Sequence, residues 1–133
     1  MRHRTVANLQ MKTLEALYDW FAEKVDLKGV EQYGVVCIDR DHNVLNSEII
    51  AVGNEHNVKV DPKKVFRTGL KVDGCSALLT IHNHPNGKKT PSSHDINLAQ
   101  ELTEIGRKLR MPVCCHVIAL EEGFVEYGQR FNQ

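Results

Sequence analysis

A chain of 133 residues with 41% apolar and 26% charged side chains has the size and composition of a globular protein with a packed core. Its 17 basic and 17 acidic residues cancel, so no overall field attracts nucleic acid or an anionic membrane. Because the N-terminus lacks a signal peptide's apolar core and no stretch approaches the ~20 apolar residues of a membrane span, we expect a soluble cytoplasmic protein without membrane association.

The first expected element is an amphipathic helix from about Thr5 to Val25, since its apolar residues recur at three- and four-residue steps. No repeat, low-complexity tract or linker divides the rest of the chain. We therefore expect one domain over residues 1–133, with an N-terminal helix segment (1–29) and a core (30–128). The apolar stripe of the helix consists of Val6, Leu9, Leu14, Leu17, Phe21 and Val25.

A hairpin and a second helix are expected next. Residues 32–38 and 43–52 are strand-like, and the segment 39–43 between them is rich in turn-forming Asp and Asn. Asp61 and Pro62 then form a typical helix start, with an N-cap residue followed by proline at the first helical position.

The second half of the core alternates strands and a helix. Residues 76–82 form a nearly continuous apolar run, which is typical of a strand buried on both faces. A helix is expected from Ser92 or Ser93, followed by strands at 112–120 and 123–128. The resulting order, α-β-β-α-β-α-β-β, predicts an α/β (α+β) fold in which helices flank a mixed sheet.

The four cysteines, Cys37, Cys75, Cys114 and Cys115, include no Cys-x-x-Cys pair, which argues against a four-cysteine zinc cluster. We expect them to be buried, with Cys114 and Cys115 on opposite faces of a strand. The chain also lacks both His-x-Glu and Pro-Cys-x-x-Cys, which argues against a zinc deaminase.

The strongest candidates for metal ligands are His82, His84 and Asp95. The two histidines lie two residues apart at a strand end, so their imidazoles share a face and can converge on one ion. Asp95, in the first turn of the next helix, adds an anionic oxygen. Two imidazoles and a carboxylate suit Zn²⁺, and three protein ligands leave a fourth position open, as in catalytic zinc sites.

Ser92 precedes Asp95 by three residues, which allows two interpretations. Ser-x-x-Asp resembles a helix-capping box. Next to a metal site, the hydroxyl can instead donate a hydrogen bond to an oxyanion. Beside His82 and His84 the second role is favoured, and one side chain can serve both.

The string HNHPNGKKTPSSHD, with His82-x-His84 seven residues before Ser92-x-x-Asp95, resembles the signature of the JAMM (JAB/MPN+) metalloprotease superfamily. More narrowly it resembles the RadC-like branch. The stretches VEQYGVVCIDRDHNVL, VDPKKVFRTGLKVDGCSALLTIHNHP and CCHVIAL resemble that branch as well, so the resemblance covers roughly residues 30–128.

This resemblance implies a JAB/MPN-like fold with His82, His84 and Asp95 as zinc ligands and Ser92 as a transition-state hydrogen-bond donor. It further implies that Glu31, at the start of the first strand, acts as general base through the zinc-bound water. The implied activity is that of a metallopeptidase or isopeptidase acting on a peptide or protein substrate. Glu48 and Glu55 are weaker candidates for the base.

Two positions depart from the family pattern. Asn86 replaces a loop serine, and Cys115 replaces an acid that commonly precedes the strand histidine, here His116, which we do not expect to be a ligand. Two alternatives remain open: a DNA-repair-associated RadC-like protein with a DNA-binding or nuclease role, or an inactive interaction module. Longer relatives carry an N-terminal helix-hairpin-helix segment suited to DNA, whereas only one helix is expected here.

Overall fold

The computed structural model describes residues 11–53 and 58–128. The predicted order of elements and the α+β fold class, with helices flanking a mixed sheet, are confirmed. The elements are α1 (Met11–Lys24), β1 (Gln32–Ile38), β2 (Val44–Val52), α2 (Pro62–Leu70), β3 (Ala77–Asn83), α3 (Ser93–Leu109), β4 (Val113–Leu120) and β5 (Gly123–Tyr127).

The two helix starts predicted in the first half of the chain have different outcomes. The expected start of the first helix at Thr5, and its apolar residues Val6 and Leu9, lie outside the described residues. The second helix begins as predicted, because the Asp61 carboxylate accepts a hydrogen bond from the Lys63 backbone N–H and proline occupies the first turn.

The sheet has the strand order β2-β1-β3-β4-β5. Among the strands of the described residues, only the β3–β4 pair is parallel, and α3 makes the connection that parallel neighbours require. β3 is the central strand, and all seven of its residues are buried, as its continuous apolar run predicts. Its C-terminal end therefore lies between β1 and β4, where both neighbours limit its movement.

The helices cover the sheet from both sides. Alternating residues of β1 and β3, such as Val36 and Leu79, pack in one core with α1, and the intervening residues, such as Val35 and Leu78, pack in a second core with α2 and α3. No helix within residues 11–53 or 58–128 has both the length and the apolar content needed to cross a bilayer.

The prediction that Cys114 and Cys115 lie on opposite faces is wrong. The β3–β4 register shifts between Leu78 and Leu79, which pair with Val113 and Cys115 and leave Cys114 as the extra residue of a bulge. Both cysteines consequently pack in the core on the α1 side. The four cysteines, all within the described residues, form no disulfide; Cys75 is partly buried and the other three are buried.

We predict that Gly106→Ala destabilises the protein. Alanine normally stabilises a helix interior relative to glycine by ~1 kcal/mol. At Gly106, however, a Cβ would lie 2.7 Å from the Met111 carbonyl oxygen and 3.2 Å from the Val113 nitrogen, and these backbone atoms cannot move aside easily. We expect a loss of about 1–3 kcal/mol in the free energy of unfolding, measured by urea denaturation.

The matched control is Gln100→Ala on the exposed side of the same helix. This change is expected to leave the free energy of unfolding within about 0.5 kcal/mol of the parent value. A Gly106→Ala variant that is more stable than the parent would contradict the close packing of α3 on the turn into β4.

Candidate metal centre

The end of β3 presents two imidazoles to the same point. His82 is only 1% exposed, and His84 follows the last residue of the strand. Their Nε2 atoms lie 3.1 Å apart, because side chains two residues apart on a strand share a face. The structure thus brings the two histidines together as their spacing predicts.

The first turn of α3 brings a carboxylate to the same point. Asp95 is 6% exposed; its Oδ2 lies 3.0 Å from Nε2 of His84, and its Oδ1 lies 3.3 Å from Nε2 of His82. One ligand atom from each of the three residues lies within 4.8 Å of the others, so the group could hold a metal ion.

These separations can be compared with the requirements of zinc. With bonds of about 2.0–2.1 Å, tetrahedral zinc places its ligand atoms about 3.3 Å apart. The three observed distances, 3.1, 3.0 and 3.3 Å, are close to this value. Two imidazole nitrogens and one carboxylate oxygen are also a donor set that zinc accepts. The residues therefore fit the metal.

The loop after β3 orients His84. Its Nδ1 lies 2.8 Å from the carbonyl oxygen of Lys88, so Nδ1 carries the hydrogen and donates it. Nε2 is then the nitrogen available to a metal, and the bond to a backbone carbonyl is the support that metal-binding histidines commonly have. His82 differs, because its buried Nδ1 has no hydrogen-bond partner among the residues that the structure describes.

Electrostatics favour a negative Asp95 between the imidazoles. Burial acts to raise the pKa of Asp95, but hydrogen bonds from His82 and His84 outweigh it and hold this pKa well below its usual range. Burial likewise acts to lower the pKa of His84, yet the hydrogen bond to Asp95 raises it above its ordinary value. A metal ion must displace the proton that this pair favours, so metal binding releases protons.

The capping interpretation of Ser92 is confirmed. The Asp95 backbone N–H donates to Oγ of Ser92 at 3.0 Å, and the Ser92 backbone N–H donates to Oδ2 of Asp95 at 2.9 Å. This reciprocal pair starts α3 and orients the carboxylate towards the histidines. Since Oγ only accepts in the cap, its own hydrogen is available for donation into the neighbouring cleft.

A cleft of about 480 Å³ borders two of the three candidate ligands, His84 and Asp95. Its lining includes His84, Ser92, Asp95 and Glu31. Burial raises the pKa of the half-buried Glu31, and this effect exceeds the opposing influence of His82, while the Asp95 carboxylate raises the pKa further. The glutamate that the family resemblance selects therefore does lie at the candidate site.

The weaker candidates for the base have other positions. Glu48 is on the edge strand β2, where its carboxylate accepts hydrogen bonds from Nζ of Lys71 at 2.9 Å and from the Asn46 side chain. Burial opposes these bonds, but the bond from Lys71 prevails and lowers the pKa of Glu48. Glu48 does not line the cleft. Glu55 lies outside the described residues.

Two aromatic residues that the sequence did not indicate surround His82. The Tyr33 ring stacks on the imidazole with ring centroids 5.7 Å apart and planes 10° apart, and the Tyr127 ring meets it edge-on at 6.0 Å. Tyr33 pairs with His82 in the β1–β3 register. Only this strand register could have placed Tyr33 beside His82, and the sequence does not specify the register. The rings keep water away from one side of the site.

Two further histidines, His94 and His116, and the departing residue Cys115 have different positions relative to the cleft. His94 is exposed and lines the cleft, and its Nε2 lies 3.3 Å from the carbonyl oxygen of Val58. His116 is buried beneath the site with Nδ1 2.8 Å from Oγ1 of Thr80, and it is not part of the group that could hold a metal. Cys115 packs in the core on the α1 side, so the departure there removes no side chain from the cleft.

We predict that His116 makes stability depend on pH. Burial, together with the nearby His82, lowers the pKa of His116 to about 3. Between this value and the ordinary ~6.5, only the unfolded chain binds the proton. The stabilisation is therefore complete above pH 6.5 and is lost as the pH falls, by about 1.4 kcal/mol per pH unit.

Urea unfolding of the parent and of His116→Gln at pH 7.5 and pH 5.0 measures this contribution. We expect the parent to lose roughly 2 kcal/mol more than the variant between the two pH values. Equal losses in both proteins would contradict a buried neutral His116.

Comparison with known proteins agrees with this geometry. The model of the RadC-like JAB domain family matches residues 11–130. A UPF0758 protein of Syntrophomonas wolfei is 31% identical over 98% of this chain and 58% of its own length. A Thermotoga maritima relative is 31% identical over 85% of this chain and 50% of its own, and a Staphylococcus carnosus relative is 33% identical over 75% and 44%. This chain thus spans about half the length of the curated relatives it matches. Because the family model matches nearly the whole chain and these relatives share about a third of its residues, the chain belongs to the RadC-like JAB domain family of the JAB/MPN superfamily.

Proposed function

We propose that this protein is a zinc-dependent hydrolase that cleaves an amide or isopeptide bond in a peptide or protein substrate. The observation that carries the proposal is the convergence of His82, His84 and Asp95 beside a cleft that Glu31 also lines. Three ligands from the protein leave a coordination position open, which distinguishes catalytic zinc sites from structural ones.

Zinc would supply two kinds of chemistry, by lowering the pKa of water to about 7 and by polarising the substrate carbonyl. His82, His84 and Asp95 would hold it. The capping hydrogen bond from Ser92 keeps the Asp95 carboxylate oriented, and the Lys88 carbonyl keeps Nε2 of His84 available. These two hydrogen bonds fix the orientation of the ligands.

Glu31 suits the role of general base. Burial has raised the pKa of its carboxyl group, which strengthens the carboxylate as a base near neutral pH. The same shift lets the group hold a proton until the leaving amine takes it. Its position in the cleft with His84 and Asp95 supports this assignment.

Ser92 suits the role of oxyanion donor in addition to its cap. Its side chain is exposed and lines the cleft, and Oγ uses only an acceptor position towards the Asp95 backbone. The free O–H can therefore donate to the oxygen that becomes negative when the carbonyl is attacked.

We predict that His84→Ala loses stoichiometric zinc. The parent, purified and exposed to Zn²⁺ before dialysis, should retain roughly one ion per chain, measured by elemental analysis. The variant should retain far less, because two ligands bind zinc much more weakly than three. His94→Ala is the matched control, since it also removes a histidine from the cleft but not a ligand. Full zinc content in the His84 variant would contradict the ligand assignment.

We predict that Glu31→Gln retains zinc but loses about 10²–10⁴-fold in turnover. The measurement compares zinc-loaded proteins on libraries of linear and lysine-branched peptides, with cleavage detected by mass spectrometry. Glu48→Gln is the control, because that glutamate is bound to Lys71 on the edge of the sheet. Cleavage that is unchanged in the Glu31 variant would remove it as the base.

A further inference from the structure

Asn83 lies between the two candidate histidine ligands, and its side chain makes three hydrogen bonds to the backbone of residues 27–32, around the start of β1. Its Oδ1 accepts from the Gln32 backbone N–H at 2.8 Å. Its Nδ2 donates to the carbonyl oxygens of Leu27 and Val30, each at 3.2 Å. The side chain is completely buried. Two of these bonds, to Val30 and Gln32, hold the residues immediately before and after Glu31.

The asparagine acts where the sheet stops. Tyr33 and His82 form the last registered pair of β1 and β3, so the pairing between these two strands does not extend to Glu31. At the next residue, the Gln32 backbone N–H donates to the Asn83 side chain instead of to a backbone group of β3. On the other side of the segment, the Gly53 N–H donates to the Glu31 carbonyl at 2.7 Å. The backbone at Glu31 is therefore held before, at and after the residue.

The chemistry of these bonds requires an amide. One oxygen must accept and one nitrogen must donate twice, and an asparagine side chain supplies both groups. A carboxylate would lack both donors, and an apolar side chain would leave three backbone groups without their partner.

We propose that Asn83 is a positioning residue that holds Glu31 in a fixed place relative to the metal ligands. The inference rests on the function proposed above, in which Glu31 is the base. Asn83 lies at the same strand end as His82 and His84. Its three hydrogen bonds therefore fix the segment that carries Glu31 relative to these two histidines.

Cobalt substitution tests this proposal without a substrate. Co²⁺ accepts the same donors as zinc, and its visible spectrum reports changes at the open coordination position as the pH is varied. Removing the negative charge in Glu31→Gln should move the midpoint of this spectral change down by about one pH unit. Asn83→Ala should move it in the same direction by roughly half a unit, because the carboxylate is no longer held near the metal.

The double variant distinguishes an effect of Asn83 through Glu31 from a general disturbance of the structure. If Asn83 acts through Glu31, adding Asn83→Ala to Glu31→Gln should move the midpoint no further. An Asn83 effect of equal size in both backgrounds, or no effect in the parent, would overturn the proposal. If the alanine variant does not fold, Asn83→Ser repeats the test, because the shorter serine side chain cannot reach the carbonyl oxygens of Leu27 and Val30.

Asn46→Ala is the matched control for lost stability. The Asn46 amide also joins two elements, by donating to the Thr68 carbonyl at 3.0 Å, but it lies on β2 next to Glu48 and Lys71 rather than at the cleft. It should lower the thermal midpoint of unfolding without moving the cobalt midpoint. Failure of the parent to bind Co²⁺, or an unchanged midpoint in Glu31→Gln, would overturn the proposed function itself. A shifted midpoint in Glu31→Gln with none in Asn83→Ala would overturn only the role of Asn83.

Discussion

The Asp95 carboxylate has to satisfy two sets of contacts at once, and the organisation of the site depends on it. Oδ2 accepts the Ser92 backbone N–H that closes the capping box, and the two oxygens also lie within 3.3 Å of the imidazoles of His82 and His84. A carboxylate buried to this extent is stable only with such compensation. The same carboxylate therefore closes the first turn of α3 and brings the candidate metal ligands together. Any shift of the helix start by one residue would separate the carboxylate from both histidines.

The sheet supplies the rigid side of this arrangement. β3 is paired on both edges and covered on both faces, so His82 is held by its backbone neighbours and by the rings of Tyr33 and Tyr127. The loop that follows is exposed, but the bond between His84 and the Lys88 carbonyl ties it to the strand end. The candidate site thus lies on a short connection held by a well-packed support.

Much of this could be read from the sequence, because local rules govern it. Strand and helix periodicity, the Asp61 cap and the spacing of His82, His84 and Asp95 depend on residues close together in the chain. Glu31 could be selected only by family resemblance, since nothing local distinguishes a glutamate at a strand start.

Contacts that depend on strand pairing could not be read from the sequence. The stacking of Tyr33 on His82 requires the β1–β3 register, and the bonds of Asn83 join residues more than 50 positions apart. The bulge that turns Cys114 towards the α1 side depends on how β4 meets β3, which short-range patterns do not specify. The same bulge determines that Cys115 faces away from the cleft, so the effect of its departure from the family pattern could be judged only in three dimensions.

The complete burial of β3 also has a consequence for hydrogen exchange. Amide protons in a central strand that is paired on both edges exchange with solvent only when much of the molecule opens, whereas those of an exposed loop exchange through small local openings. His82 belongs to the first class, and the segment from Pro85 to Thr90 is exposed. The boundary between slow and fast exchange therefore runs through the metal centre. One candidate ligand shares the global stability of the sheet, and its neighbour two residues later borders a segment that can open without unfolding the protein.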